Sequence, residues 1–173
     1  MAKQLLSLII CGLLISACSK EKSNLANTDN NANTPVRNTI NISIGGEPPT
    51  LDPDLSGDSI SARVAHDFFE GLLSFNQKGE PIPGLAESWE ISSDQKTYTF
   101  HLRKGIKFSD GTPITATDFV KSWQRFGDPK TGSPQNNMLE IVVNGAQIAK
   151  GQLPPSSLGI SAPNQDTVIV KLI

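Results

Sequence analysis

Residues 97–103 constrain this chain most: Tyr98, Phe100 and Leu102 alternate strictly with Thr97, Thr99, His101 and Arg103. Successive side chains of a strand point to opposite faces, so this run describes a β-strand with one buried and one wet face. A strand of that kind needs partners. Residues 88–91 (Ser-Trp-Glu-Ile) and the turn at Ser92-Ser93-Asp94 supply one as a hairpin, and Val168, Val170 and Leu172 alternating with Ile169 and Lys171 predict another strand. Ile40, Ile42 and Ile44 show the same period and predict a strand stopped at Gly45-Gly46.

Helical spacing appears between these runs. From Ser59, the positions Val64, Ala65, Phe68, Phe69, Leu72 and Leu73 recur at steps of three and four and predict a core-facing helix, with Gly71 at its end. Pro81 and Pro83 with Gly79 and Gly84 predict a loop. Thr115 followed by Asp118 and then Phe119, Val120, Trp123 and Phe126 has the form of a capped helix closed by Asp128-Pro129, and a further helix is predicted over about residues 137–150. The aromatic residues, from Phe68 to Phe126, are expected mostly in the core. Strands and helices in this arrangement give an α+β class with a mostly antiparallel sheet.

The N-terminus reads as an address. Lys3 precedes an apolar run over residues 5–15, and Ile15-Ser16-Ala17-Cys18 closes it with small residues. The run has roughly half the ~20 apolar residues a membrane-spanning helix requires. Residues 14–18 resemble the lipobox of bacterial lipoproteins, which implies cleavage before Cys18, acylation of its thiol and a stable membrane anchor. Residues 1–17 are then a signal peptide, and 18–38, rich in Asn and other polar residues, a flexible tether. Cys11 leaves with the signal and Cys18 is acylated, so neither of the two cysteines remains for a disulfide or a thiolate metal site. The exported body is expected in the periplasm or on the extracellular side.

Charge and motif patterns exclude several functions. A formal net charge of -2 and a pI of 5.6 lack the basic footprint of a nucleic-acid binder. His66 and His101 are the only histidines, without HxxxH or CxxC spacing, so no metal or other cofactor is expected. Glu47, Asp52, Asp54 and Asp58 form an acidic stretch without calcium-loop spacing, and Asp52-Pro53 reads as turn chemistry. Gly45-Gly46 does not continue into a nucleotide cradle, and no GxSxG elbow is present. Glu70 with Glu87, or Asp110 with Asp118, would serve as an acid and base pair only at a distance that sequence cannot supply. Catalysis is not expected.

Six motifs in order carry a family resemblance: Leu51-Asp52-Pro53; residues 69–73; Pro83-Gly84-Leu85-Ala86-Glu87-Ser88-Trp89; residues 99–105; Phe108-Ser109-Asp110-Gly111-Thr112-Pro113; and residues 118–125. Over residues 40–173 the chain closely resembles the oligopeptide-binding proteins, the family 5 extracellular solute-binding proteins of ATP-driven importers. The resemblance implies a periplasmic-binding-protein type II fold, two-lobed in full and incomplete here. Residues 39–69 would open the first lobe and 70–173 form the adjoining smaller domain, truncated at its C-terminal end. It also implies a peptide ligand, ABC permease subunits as partners and a monomer. Family members are about three times as long, and the acidic anchor for a peptide amino group lies beyond Ile173. The stretch with Gly57 and Ser59 matches backbone that adds to an extended peptide, and Gln135 stands where some members place a pocket-lining Tyr; these three are the ligand-lining candidates. Dipeptide, haem, nickel and murein-peptide receptors share the framework, and a short scaffold lipoprotein without solute uptake is the alternative from another class.

Overall fold

A four-stranded antiparallel sheet organises the described part of the protein, which in this computed structural model covers residues 40–173. The expected signal peptide (1–17), Cys18 and the expected tether (18–38) therefore lie outside the described residues. In chain order the elements are α1 (Ser59–Phe68), β1 (Leu73–Phe75), β2 (Pro81–Pro83), β3 (Ala86–Ile91), β4 (Thr97–Leu102), α2 (Ala116–Gly127), α3 (Gly145–Ala149), β5 (Ile160–Asn164) and β6 (Thr167–Lys171). Single 3-10 turns fall at Pro53–Leu55, Pro129–Thr131, Asn136–Ile141 and Pro155–Ser157.

The sheet runs β3-β4-β6-β5, placing the most strictly alternating strand, β4, in the interior. Phe100 faces Trp89 on one side and Val168 on the other, and Tyr98 faces Ile91 and Val170. Phe100, Leu102, Val168, Val170 and Ile160 are buried, and α2 adds Phe119, Val120, Trp123 and Phe126 to the same core. Each fully buried side chain of this core stabilises the fold by about 1.5–3 kcal/mol, and the half-buried α2 residues by less. α2 begins where its capping box predicts: the Asp118 carboxylate accepts from the Thr115 N–H at 2.8 Å, and Asp128 terminates the helix. The α+β class and antiparallel pairing agree with the sequence expectation.

Several local expectations are corrected. No strand forms over residues 40–44, and Ile40 and Ile42 stand exposed, because no described strand pairs with them. α1 stops at Phe68, three residues before Gly71, and Ser61 is its only buried residue. Phe68 is 75% exposed and Phe69 55% exposed, so α1 does not bury an aromatic face. Leu73 belongs to the next element and pairs with Pro83, with Leu72 in the bend just before it, and the predicted proline loop is instead β2 of a small hairpin. Pro tolerates such edge positions because no ladder donor is required of it. The helix expected over 137–150 splits into the turn Asn136–Ile141 and α3, with Asn144 in the left-handed region at φ 67° between them.

Candidate functional site

The acidic stretch before α1 is structured by its own carboxylates. Asp58 caps α1, accepting from the N–H groups of Ile60 at 2.9 Å and Ser61 at 2.8 Å. Those backbone donors hold its carboxyl below the ordinary value. Asp52 caps the turn at Pro53–Leu55 in the same way, accepting from the Asp54 N–H at 3.1 Å.

Asp52 and Asp54 share one cation, Arg125 of α2. Nη1 of Arg125 donates to Asp52 Oδ1 at 3.0 Å and also to Asp54 Oδ2, while Nη2 donates to Asp52 Oδ2. The bidentate pair lowers the Asp52 pKa and raises that of Arg125. Asp54 is buried, and burial pushes its pKa up despite the opposing pull of Arg125. The arginine that binds them lies in the 118–125 motif, which carried the family resemblance but was not among the ligand-lining candidates.

Beside this cluster lies an open groove of about 700 Å³ whose lining includes Pro53, Ser56, Phe68, Phe75 and Gln135. A second groove, about 500 Å³, lies beside the start of α2 with Lys107, Phe108, Asp118 and Phe119, and shares Pro53, Phe68, Phe69 and Glu70 with the first. The exposed aromatic residues at the end of α1 thus border both openings. This corrects the expectation that they fill the core: they are left on a surface that alternating apolar spacing cannot distinguish from a buried one.

Of the three sequence candidates, Gln135 lines the larger groove, while Gly57 and Ser59 are exposed on the segment that follows Ser56. Gly57 faces the turn before Gln135, where an added β-carbon would stand 3.0 Å from Pro134 Cγ. Gly57 and the turn carrying Gln135 therefore come together although they are far apart in sequence. Ser59 opens α1.

Three of the remaining acidic candidates are engaged in hydrogen bonds, and Glu87 is paired with neither Glu70 nor any other side chain among the described residues. Glu70 accepts from Arg103 Nη2 at 2.9 Å, Asp110 caps its turn through the Thr112 N–H at 2.8 Å, and Asp118 serves the α2 cap. His101 Nε2 lies 3.6 Å from Glu90 across the β3–β4 hairpin, whereas His66 borders the larger groove.

Comparison with known proteins places this arrangement. A model of the bacterial extracellular solute-binding proteins, family 5 Middle, matches residues 80–173. The periplasmic oligopeptide-binding protein OppA of Salmonella typhimurium is 39% identical over 168 residues, 96% of this chain and 31% of that protein. The probable deoxycholate-binding periplasmic protein YgiS of Escherichia coli is 41% identical over 145 residues, 82% of this chain and 27% of that one. The structure of Haemophilus influenzae OppA in complex with RPPGFSPFR matches with a TM-score of 0.71 at 40% identity, over 75% of this chain and 26% of that one. The chain spans less than a third of the length of these relatives.

Proposed function

The chain belongs to the bacterial extracellular solute-binding proteins of family 5 and has part of a periplasmic-binding-protein type II fold, and from that premise we propose that the native protein captures oligopeptides outside the cytoplasm for an ABC-type importer. The family is one of binding proteins rather than enzymes. In this reading residues 39–69 open the first lobe, 70–173 form the smaller domain, and acylated Cys18 anchors a monomeric receptor in the cell envelope near its permease subunits.

The observation that carries the peptide reading is the likeness to an oligopeptide-binding protein whose structure holds the peptide RPPGFSPFR. The segment with Gly57 and Ser59, exposed beside a groove bordered by Gln135, suits it: main-chain groups that pair with an extended ligand bind peptides without reading their side chains. A steroid-like solute is the second reading, favoured by the 41% identity to a protein described as probably deoxycholate-binding.

The test is thermal unfolding of the native protein with a panel of two- to five-residue peptides and, separately, deoxycholate. A ligand at 100 times its Kd stabilises the native state by about 2.7 kcal/mol. A raised Tm with peptides supports the proposal; a raised Tm with deoxycholate and none with any peptide replaces it with the second reading.

A further inference from the structure

Arg125 bonds through different atoms to two segments that each contribute residues to the lining of the larger groove. Its guanidinium grips Asp52 and Asp54, which flank the groove-lining Pro53 and lead into Ser56. Its backbone carbonyl accepts from Thr131 Oγ1 at 2.6 Å, tying it to the turn that runs on through Pro134 to Gln135. The two tethered segments then meet at Gly57 and Pro134.

We propose that Arg125 is the positioning residue of the ligand-lining segment 53–59, holding it in register with the turn at 131–135 so that its backbone is presented at a set distance from Gln135. This rests on the peptide reading above only for what the groove binds. The geometry requires the planar fork of arginine: two parallel N–H donors meet both Asp52 oxygens while one nitrogen also reaches Asp54, a pattern the point charge of lysine cannot reproduce. Asp52 cannot drift toward solvent without also giving up the Asp54 N–H that it caps. The segment is held by a cation on α2 and is not left to the weak local preferences of an exposed loop.

Hydrogen exchange of backbone amides, read by mass spectrometry on the native protein, tests the clamp in R125K, R125Q and D52N. The expected result is exchange over 53–59 faster by about tenfold or more in all three variants, with β4 and β6 amides at their wild-type rates. A residue that only stabilises the fold would instead loosen the sheet together with the segment. Affinity for trialanine, the probe peptide, should fall in R125K although the charge is kept. Wild-type exchange over 53–59 in R125Q and D52N, or a R125K protein indistinguishable from wild type, overturns the clamp. Failure of the wild-type protein to bind trialanine or any panel peptide overturns the peptide reading instead, while the exchange data still decide the role of Arg125. Should R125Q not fold, D52N weakens the Asp52 half of the clamp by removing its charge, with the Arg125–Asp54 bond left in place.

Discussion

A β-carbon on Gly145 would stand 1.8 Å from the carbonyl oxygen of Leu139, a separation no packed pair of atoms tolerates. Chain reversal between the turn Asn136–Ile141 and α3 brings the two residues together, and Leu139 is itself buried in the core. Relief requires moving backbone, since the obstructing atom is not the end of a flexible side chain. Gly145→Ala should therefore cost about 3 kcal/mol or more, at the upper end of overpacking effects, seen as a fall in the urea midpoint. A loss below 1 kcal/mol would mean that the 139–145 reversal is more pliable than its packing implies.

Phe100 sits between Trp89 and Val168 in the interior strand β4 and is 8% exposed. Truncation to Ala removes its ring from the centre of the sheet and leaves a cavity that neighbouring strands cannot close. A loss of about 3–5 kcal/mol is expected on equilibrium unfolding. Truncating exposed Phe68 should change stability by less than about 0.5 kcal/mol, the ordinary size for a surface site.

Acid should weaken the fold in a way that particular carboxylates explain. Asp52, Asp58, Asp94 and Asp110 all have lowered pKa values through hydrogen bonds they accept, led respectively by Arg125, Ser61, Ser92 and Thr112. A depressed carboxyl contributes stability above its unfolded pKa, near pH 4, and loses it as pH falls through the folded value. Asp54 has the opposite sign: its raised pKa contributes stability below the unfolded value that is lost as pH rises through the folded one. D52N should be less stable than wild type at pH 7, with the gap closing near pH 2. For D54N, any loss relative to wild type should be smaller at pH 7 than at pH 3. Urea midpoints measured across that range check both signs, and a D52N gap independent of pH would show that the Asp52 charge contributes nothing.

Cys18 lies outside the described residues, and its acylation is a prediction from the small residues before it. The intact mass of the native protein from the membrane fraction should show loss of residues 1–17 and added acyl chains. Cys18→Ala should carry no acyl mass, because the thiol that accepts the chains is gone. Wild-type protein without acyl mass, or acyl mass persisting in Cys18→Ala, would remove the lipoprotein reading at Cys18.

Much of the sheet and the main helix was legible in the chain. Residues 97–103 and 167–172 announced β4 and β6 because a strand buried on one face repeats every two residues, and Thr115 with Asp118 announced α2 because a cap is satisfied within four residues. β5 was not legible: Ile160, Ser161, Ala162, Pro163 and Asn164 hold little alternation and a proline, and the strand exists because β6 offers it an edge, with Ile160 opposite Val170. Ile40, Ile42 and Ile44 show the converse, a period of two that forms no strand.

By itself, then, the sequence determined the α+β class, the interior strands, the capped helix and the family, since each depends on neighbouring residues or on motifs in a set order. Only the tertiary structure decided which aromatic residues stay outside, where the helix over 137–150 breaks, and that Arg125 binds Asp52 from 73 positions away. Those outcomes depend on which surfaces meet. Burial and ion pairing act through space, and a local pattern records that a side chain is apolar or charged without recording what it will face.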